Sequence, residues 1–202
     1  MTRARRAAPA FDAEGWYRPA RRVPSPNRDA RPPQTRVALL VIHHISLPPG
    51  RFGGDAVERL FTNRLDDDPA FVSLRGLRVS AHFLVRRRGE LLQFVAGEQR
   101  AWHAGVSSFL GRERCNDFSI GVELEGTGER AYTDAQYRVL ARLTRALAER
   151  WPLRHVAGHS DVAPGRKTDP GPSFDWERYL RTLLGTGLTR PFGPDGREDA
   201  GS

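Results

Sequence analysis

The stretch RVALLVIHHI, residues 36–45, constrains the fold more than any other part of the chain. Its six consecutive apolar residues, Val37 to Ile42, are rich in branched side chains, the pattern of a strand buried on both faces and therefore central in its sheet. The fold class expected around it is α/β, a single domain with a central mixed β-sheet flanked by helices. The run ends in His43 and His44, whose side chains must leave opposite faces because a strand repeats every two residues. At most one of them can join a site on a given face.

The other elements follow from periodicity. GDAVERLFTNRL reads as a short amphipathic helix with Asp55 as N-cap, and LDDDPAF as an exposed acidic loop rather than a metal site. SAHFLV and LLQFVA form a hairpin around Gly89. AWHAG, residues 101–105, places Trp102 and His103 in a loop, readable either as packing or as a flat platform for a sugar ring. FSIGVELEG, residues 118–126, turns Phe118, Ile120, Val122 and Leu124 one way and Ser119, Gly121, Glu123 and Glu125 the other. That polar face meets water unless the strand lies beside the one ending in His43, in which case it lines a cleft. TDAQYRVLARLTRALAERW, residues 133–151, is a helix capped by Thr133 and stopped by Pro152. RHVAGH returns as a strand, and FDWERYLRTLLG is a last helix capped by Asp175 or Ser173. Residues 1–35, rich in Arg, Pro and Ala, lack periodicity and are expected to wrap the surface or stay partly disordered. Residues 187–202 read as a polar tail, which leaves 36–186 as the domain.

A net charge of +8 and a pI near 10.8 raise the question of nucleic acid. The arginines are scattered, however, and no recognisable nucleic-acid module is present, so an anionic small substrate or plain arginine bias explains the charge. Cys115 is the single cysteine, which excludes an internal disulfide and suits a reducing compartment. MTRARRAAPAFDAEGW has basic residues but no apolar run behind them, and no stretch approaches a membrane span. The expectation is a soluble cytoplasmic protein with no membrane and no nucleic-acid partner.

AGHSDVAPGRKTDPGP, residues 157–172, is broken by proline and glycine and should be a shaped loop with no regular helix or strand. It carries His159, Asp161, Asp169 and Lys167, the last being the only lysine among the 32 basic residues. Two histidines at strand ends plus one carboxylate make the ligand set of a catalytic zinc, which keeps a fourth position open. A nearby glutamate would serve as general base and acid, and a lysine would stabilise an oxyanion. His43 or His44, His159, Asp161 or Asp169, Glu123 and Lys167 supply these roles, and spacing alone does not choose within each pair.

Taken together, VIHHISLPPGRFGG, RVSAHFLV, RAWHAGVSSFLGRERCNDFSIGVELEGT, YTDAQY and GHSDVAPGRKTDPGPSFDW resemble the AmpD-type 1,6-anhydro-N-acetylmuramyl-L-alanine amidases of bacterial cell-wall recycling. These zinc enzymes belong to the wider N-acetylmuramoyl-L-alanine amidase and peptidoglycan-recognition superfamily, and the likeness spans roughly residues 14–180. The resemblance implies one Zn2+ held by His43, His159 and Asp169, with Glu123 as general base and acid and Lys167 as transition-state stabiliser. Asp161 and Glu125 become structural. It also implies a monomer that hydrolyses the amide between the lactyl group of anhydromuramic acid and L-alanine of an anhydromuropeptide. Trp102 would pack on the sugar, and Arg78 and Arg114 would pair with stem carboxylates. The chain departs from the family at His44, where asparagine is common. Two alternatives are an amidase acting on intact peptidoglycan and a binding module without the metal set; the presence of Asp169, Glu123 and Lys167 together favours the enzyme.

Overall fold

Residues 9–193 are described by a computed structural model. Leu39–Ile45 form strand β2, hydrogen-bonded on both sides within a mixed six-stranded sheet. The other strands are β1 (Arg21–Arg22), β3 (Phe83–Val85), β4 (Leu91–Gln93), β5 (Ser119–Glu125) and β6 (His155–Gly158). Their order across the sheet is β1-β4-β3-β5-β2-β6. Only the β3–β4 hairpin is antiparallel, because its short turn at Gly89 allows no crossover.

Alternation along β2 divides the core. Leu40 and Ile42 face the layer built from helix α2 (Asp134–Arg150), where they meet Leu140, Leu143 and Leu147. Leu39 and Val41 face the opposite layer with Ala104, Phe118, Ala157 and Val162. Helix α1 (Ala56–Phe61) covers the rest of that second face through Val57, Leu60 and Phe61. The expected α/β architecture with flanking helices is therefore observed.

Helix α2 has the Thr133 cap, whose hydroxyl accepts from the Gln136 amide while the Gln136 side chain returns to the Thr133 amide. Asp175 caps the last helix, α4 (Trp176–Thr182). Asp55 occupies the N-cap of α1, but its side chain accepts no capping hydrogen bond. Asp68 of the acidic run caps a 3-10 turn at Pro69–Leu74, and Asp66 pairs with Arg78.

Three expectations need correction. Residues 9–35 are not a loose wrapping: Phe11, Trp16, Tyr17 and Ala20 are buried, and β1 adds a strand to the sheet. These side chains enter the core from turns and bridges, so no helical or strand period announces them. The start of the tail is also ordered: Phe192 is buried and Leu188 packs on the main core. The expected polar tail beyond it, 194–202, lies outside the described residues. Finally, the 157–172 loop is not wholly irregular, because His159–Val162 form one helical turn, α3, before Pro164 ends it.

Candidate metal centre and active site

β5 pairs in parallel with β2, opposing His43 to Glu123 and Val41 to Gly121. The polar alternates of β5 are consequently buried along with its apolar ones, as expected for a strand lying beside the one that ends in His43. β6 lies on the other side of β2, with Gly158 opposite Ile42. The chain leaves β6 directly into His159, which therefore arrives next to His43. Asp169 returns to the same point because its backbone carbonyl accepts from the Ser160 amide at 2.8 Å. The return is close: Gly171, at φ +83°, packs so tightly on Gly128 that a Cβ would sit 2.5 Å from the Gly128 Cα.

His43 Nδ1, His159 Nδ1 and Asp169 Oδ2 lie 2.9 to 3.1 Å from one another, and all three residues are buried. Among the described residues they form the one His/Cys/Asp/Glu cluster able to hold a metal ion. The hydrogen bonds reveal the protonation pattern. His159 Nε2 donates to the Ala104 carbonyl, which leaves its Nδ1 bare in the neutral ring. Ser119 Oγ donates to the Cys115 carbonyl and so accepts from His103 Nε2. His103 Nδ1 then accepts from His43 Nε2 at 2.9 Å, and His43 Nδ1 is bare as well. Two imidazole lone pairs and a carboxylate oxygen thus converge with no proton between them. Such a set fits a cation, and its edges are a little shorter than the roughly 3.3 Å of a tetrahedron with zinc–nitrogen bond lengths.

Electrostatics agree. Burial lowers His43 to about 4, against the opposing pull of Asp169, so the ring is neutral near pH 7. Glu123 is buried beside this cluster, and its Oε2 has no hydrogen-bond partner among the described residues. Burial pushes its carboxyl well up, neighbouring Asp169 adds to the rise, and Lys167 opposes it. A buried carboxyl with a raised proton affinity suits the role of general base. Lys167 is exposed on the loop, with no carboxylate partner among the described residues.

His44 leaves the other face, and its ring lies against Gly128, where an added Cβ would stand 2.9 Å from Nε2. Asp161 is not in the cluster; it accepts from the Gly158 amide and pairs with Arg190. Glu125 accepts from the Gly53 and Arg87 amides and fixes two loops. Trp102 is half-buried, while Arg78 pairs with Asp66 and Arg114 with Asp117 at the surface. The platform expectation for the Trp-His pair is wrong for His103, whose ring turns inward to His43. Sequence reading also passes over Ala104, Asn116, Ser119 and Arg190. One signal was available: the isolated Gly121 in a buried strand, where a Cβ would meet the His103 ring at 2.5 Å.

The sequence profile of the N-acetylmuramoyl-L-alanine amidases matches residues 33–172, a span that contains every residue of the cluster. The chain belongs to that family. Within it the chain is of the AmpD type. It is 59% identical to the 1,6-anhydro-N-acetylmuramyl-L-alanine amidase AmpD of Citrobacter freundii over 82% of this chain and 91% of that protein. A crystal structure of AmpD superposes with a TM-score of 0.82 at 57% identity, covering 85% of this chain and 98% of the other. The amidase AmiD of E. coli, solved with anhydro-N-acetylmuramic acid-L-Ala-D-gamma-Glu-L-Lys, is more distant at 30% identity and a TM-score of 0.56, covering 77% and 60% of the two chains. Among the described residues no helix is long and apolar enough to cross a membrane.

Proposed function

We propose that this amidase is a zinc-dependent 1,6-anhydro-N-acetylmuramyl-L-alanine amidase, a cytoplasmic monomer that cleaves the bond between the lactyl group and L-alanine of anhydromuropeptides during cell-wall recycling. The observation that carries the reading is the convergence of His43 Nδ1, His159 Nδ1 and Asp169 Oδ2 beside the unpartnered carboxylate oxygen of Glu123. The activity of the AmpD relatives and the ligand bound by AmiD support the substrate class. Zinc, when bound, supplies Lewis acidity and makes a water acidic enough to ionise near neutral pH.

The chain's own residues do the rest. Glu123 takes the proton of the attacking water and delivers it to the leaving alanine nitrogen, as its raised proton affinity allows. Lys167 supplies a mobile ammonium to the developing oxyanion, worth on the order of 3 kcal/mol. Trp102 offers a face to the compact anhydro-sugar, and the exposed guanidinium groups of Arg78 and Arg114, now paired with Asp66 and Asp117, turn to stem-peptide carboxylates. The catalytic unit is residues 36–186, completed by the core side chains Phe11, Trp16, Tyr17 and Ala20 before it and by Arg190 after it.

The test is to incubate zinc-loaded protein with anhydromuropeptide and, separately, with intact sacculi, and to identify products by mass spectrometry. Release of stem peptide from the anhydromuropeptide is expected; release from sacculi alone would replace the reading with a wall-lytic amidase. Lys167→Ala should retain zinc and lose about 100-fold or more in turnover. Unchanged turnover would remove Lys167 from the chemistry.

A further inference from the structure

Both imidazoles of the metal cluster lean on the same two residues of a different loop. His43 Nε2 donates to His103 Nδ1 at 2.9 Å, and His159 Nε2 donates to the Ala104 carbonyl at 3.1 Å. The dipeptide is itself anchored: Asn116 Oδ1 accepts from the His103 amide at 3.1 Å and from the Ala104 amide at 2.8 Å. Its far side is anchored too. Ser119 Oγ takes the His103 Nε2 proton, and the Arg166 guanidinium shares the Ala104 carbonyl at 2.7 Å. Gly121 leaves the space the His103 ring fills.

We propose that His103 and Ala104, braced by Asn116, are the positioning element of the metal pocket, setting the tautomer and the aim of His43 and His159 together. The inference rests on the zinc reading above and adds to it. Partners of this kind on ligand histidines fix ring orientation, and their loss costs about 10- to 100-fold in metal affinity. Here the acceptor for His43 is a neutral imidazole rather than a carboxylate. It bares Nδ1 without adding a further carboxylate to a pocket that already holds Asp169 and Glu123.

The experiment measures zinc affinity of the full chain by chelator competition, with circular dichroism to confirm folding. His103→Ala should weaken binding about 10- to 100-fold, and Asn116→Ala should weaken it less, because the dipeptide keeps its other anchors. His103→Asn keeps an acceptor near the Nδ1 position and should recover most of the loss. On the unaltered zinc-loaded protein, NMR should show a scalar coupling across the hydrogen bond between His43 Nε2 and His103 Nδ1, a readout independent of any variant's folding. Folded His103→Ala with parental affinity, an Asn variant as weak as the Ala variant, or absence of the coupling would each overturn the proposal. Failure of the parent to bind zinc at all would instead overturn the zinc reading.

Discussion

The two ends of the described chain both lie against edges of the sheet, and they are held there by different forces. At one edge β1 pairs with β4, while Phe11 and Tyr17 enter the main core and Phe11 stands edge-on to Trp151 with ring centres 4.9 Å apart. At the other edge Thr189 adds beside β6, exchanging backbone hydrogen bonds with Arg154 and Val156. The next residue, Arg190, makes a buried ion pair with Asp161, stacks on Trp176 and donates to the Phe192 carbonyl. Three strands separate the first end from β2. The second grips the helical turn that begins with a metal-cluster histidine. Capping an edge protects its unpaired backbone in either case. The second end acts directly on a residue of the metal cluster, because a polar anchor on α3 restrains where His159 points.

Substitutions can pull these two roles apart. Phe11→Ala should lower unfolding free energy by about 3–5 kcal/mol, the range for a buried aromatic. Zinc affinity of the folded protein should stay at the parental value. Arg190→Ala strands a buried Asp161 carboxylate and should cost on the order of 3 kcal/mol. Unlike the first variant it should also weaken zinc binding about tenfold, through His159. Equal zinc affinity in the two variants would dissolve the distinction between the ends.

Acid should also act where the N-terminal segment meets the sheet. His82 accepts from the Gly121 amide through Nδ1, and Arg31 of the N-terminal segment lies 3.1 Å from its Nε2. Burial, then Arg31, lowers His82 to about 3. Because that folded value is below the ordinary one, the unfolded chain binds more protons below about pH 6.5, and stability is lost as pH falls from there toward 3. Moving from pH 7.5 to 5.5 should cost up to roughly 1.4 kcal/mol in this group alone, and His82→Gln should flatten the urea-unfolding midpoint over that window. The smallest effect belongs to Arg22→Ala. Its pair with Asp12 is exposed, and thermal melting should not move measurably.

Legibility followed periodicity and punctuation. Val37 to Ile42 and the Thr133 helix each carry a local signature and form the element expected, and the loop around Lys167 does so apart from the single helical turn at His159–Val162. Phe11, Tyr17 and Phe192 carry none, since each enters the core from irregular backbone. His103 illustrates the same limit within the site. Beside Trp102 it looks like part of a binding surface, yet the ring is claimed by His43, a residue 60 positions earlier.

What the sequence determined by itself was the inventory and the local direction of side chains: a central strand, two adjacent histidines sent to opposite faces, and a loop rich in titratable groups that proline and glycine keep from regular structure. The choice between His43 and His44, and between Asp161 and Asp169, was made only by the parallel pairing of β2 with β5 and β6 and by the contact of Gly171 with Gly128. Strand alternation is a property of neighbours along the chain, whereas the convergence of three donors depends on register between segments more than a hundred residues apart.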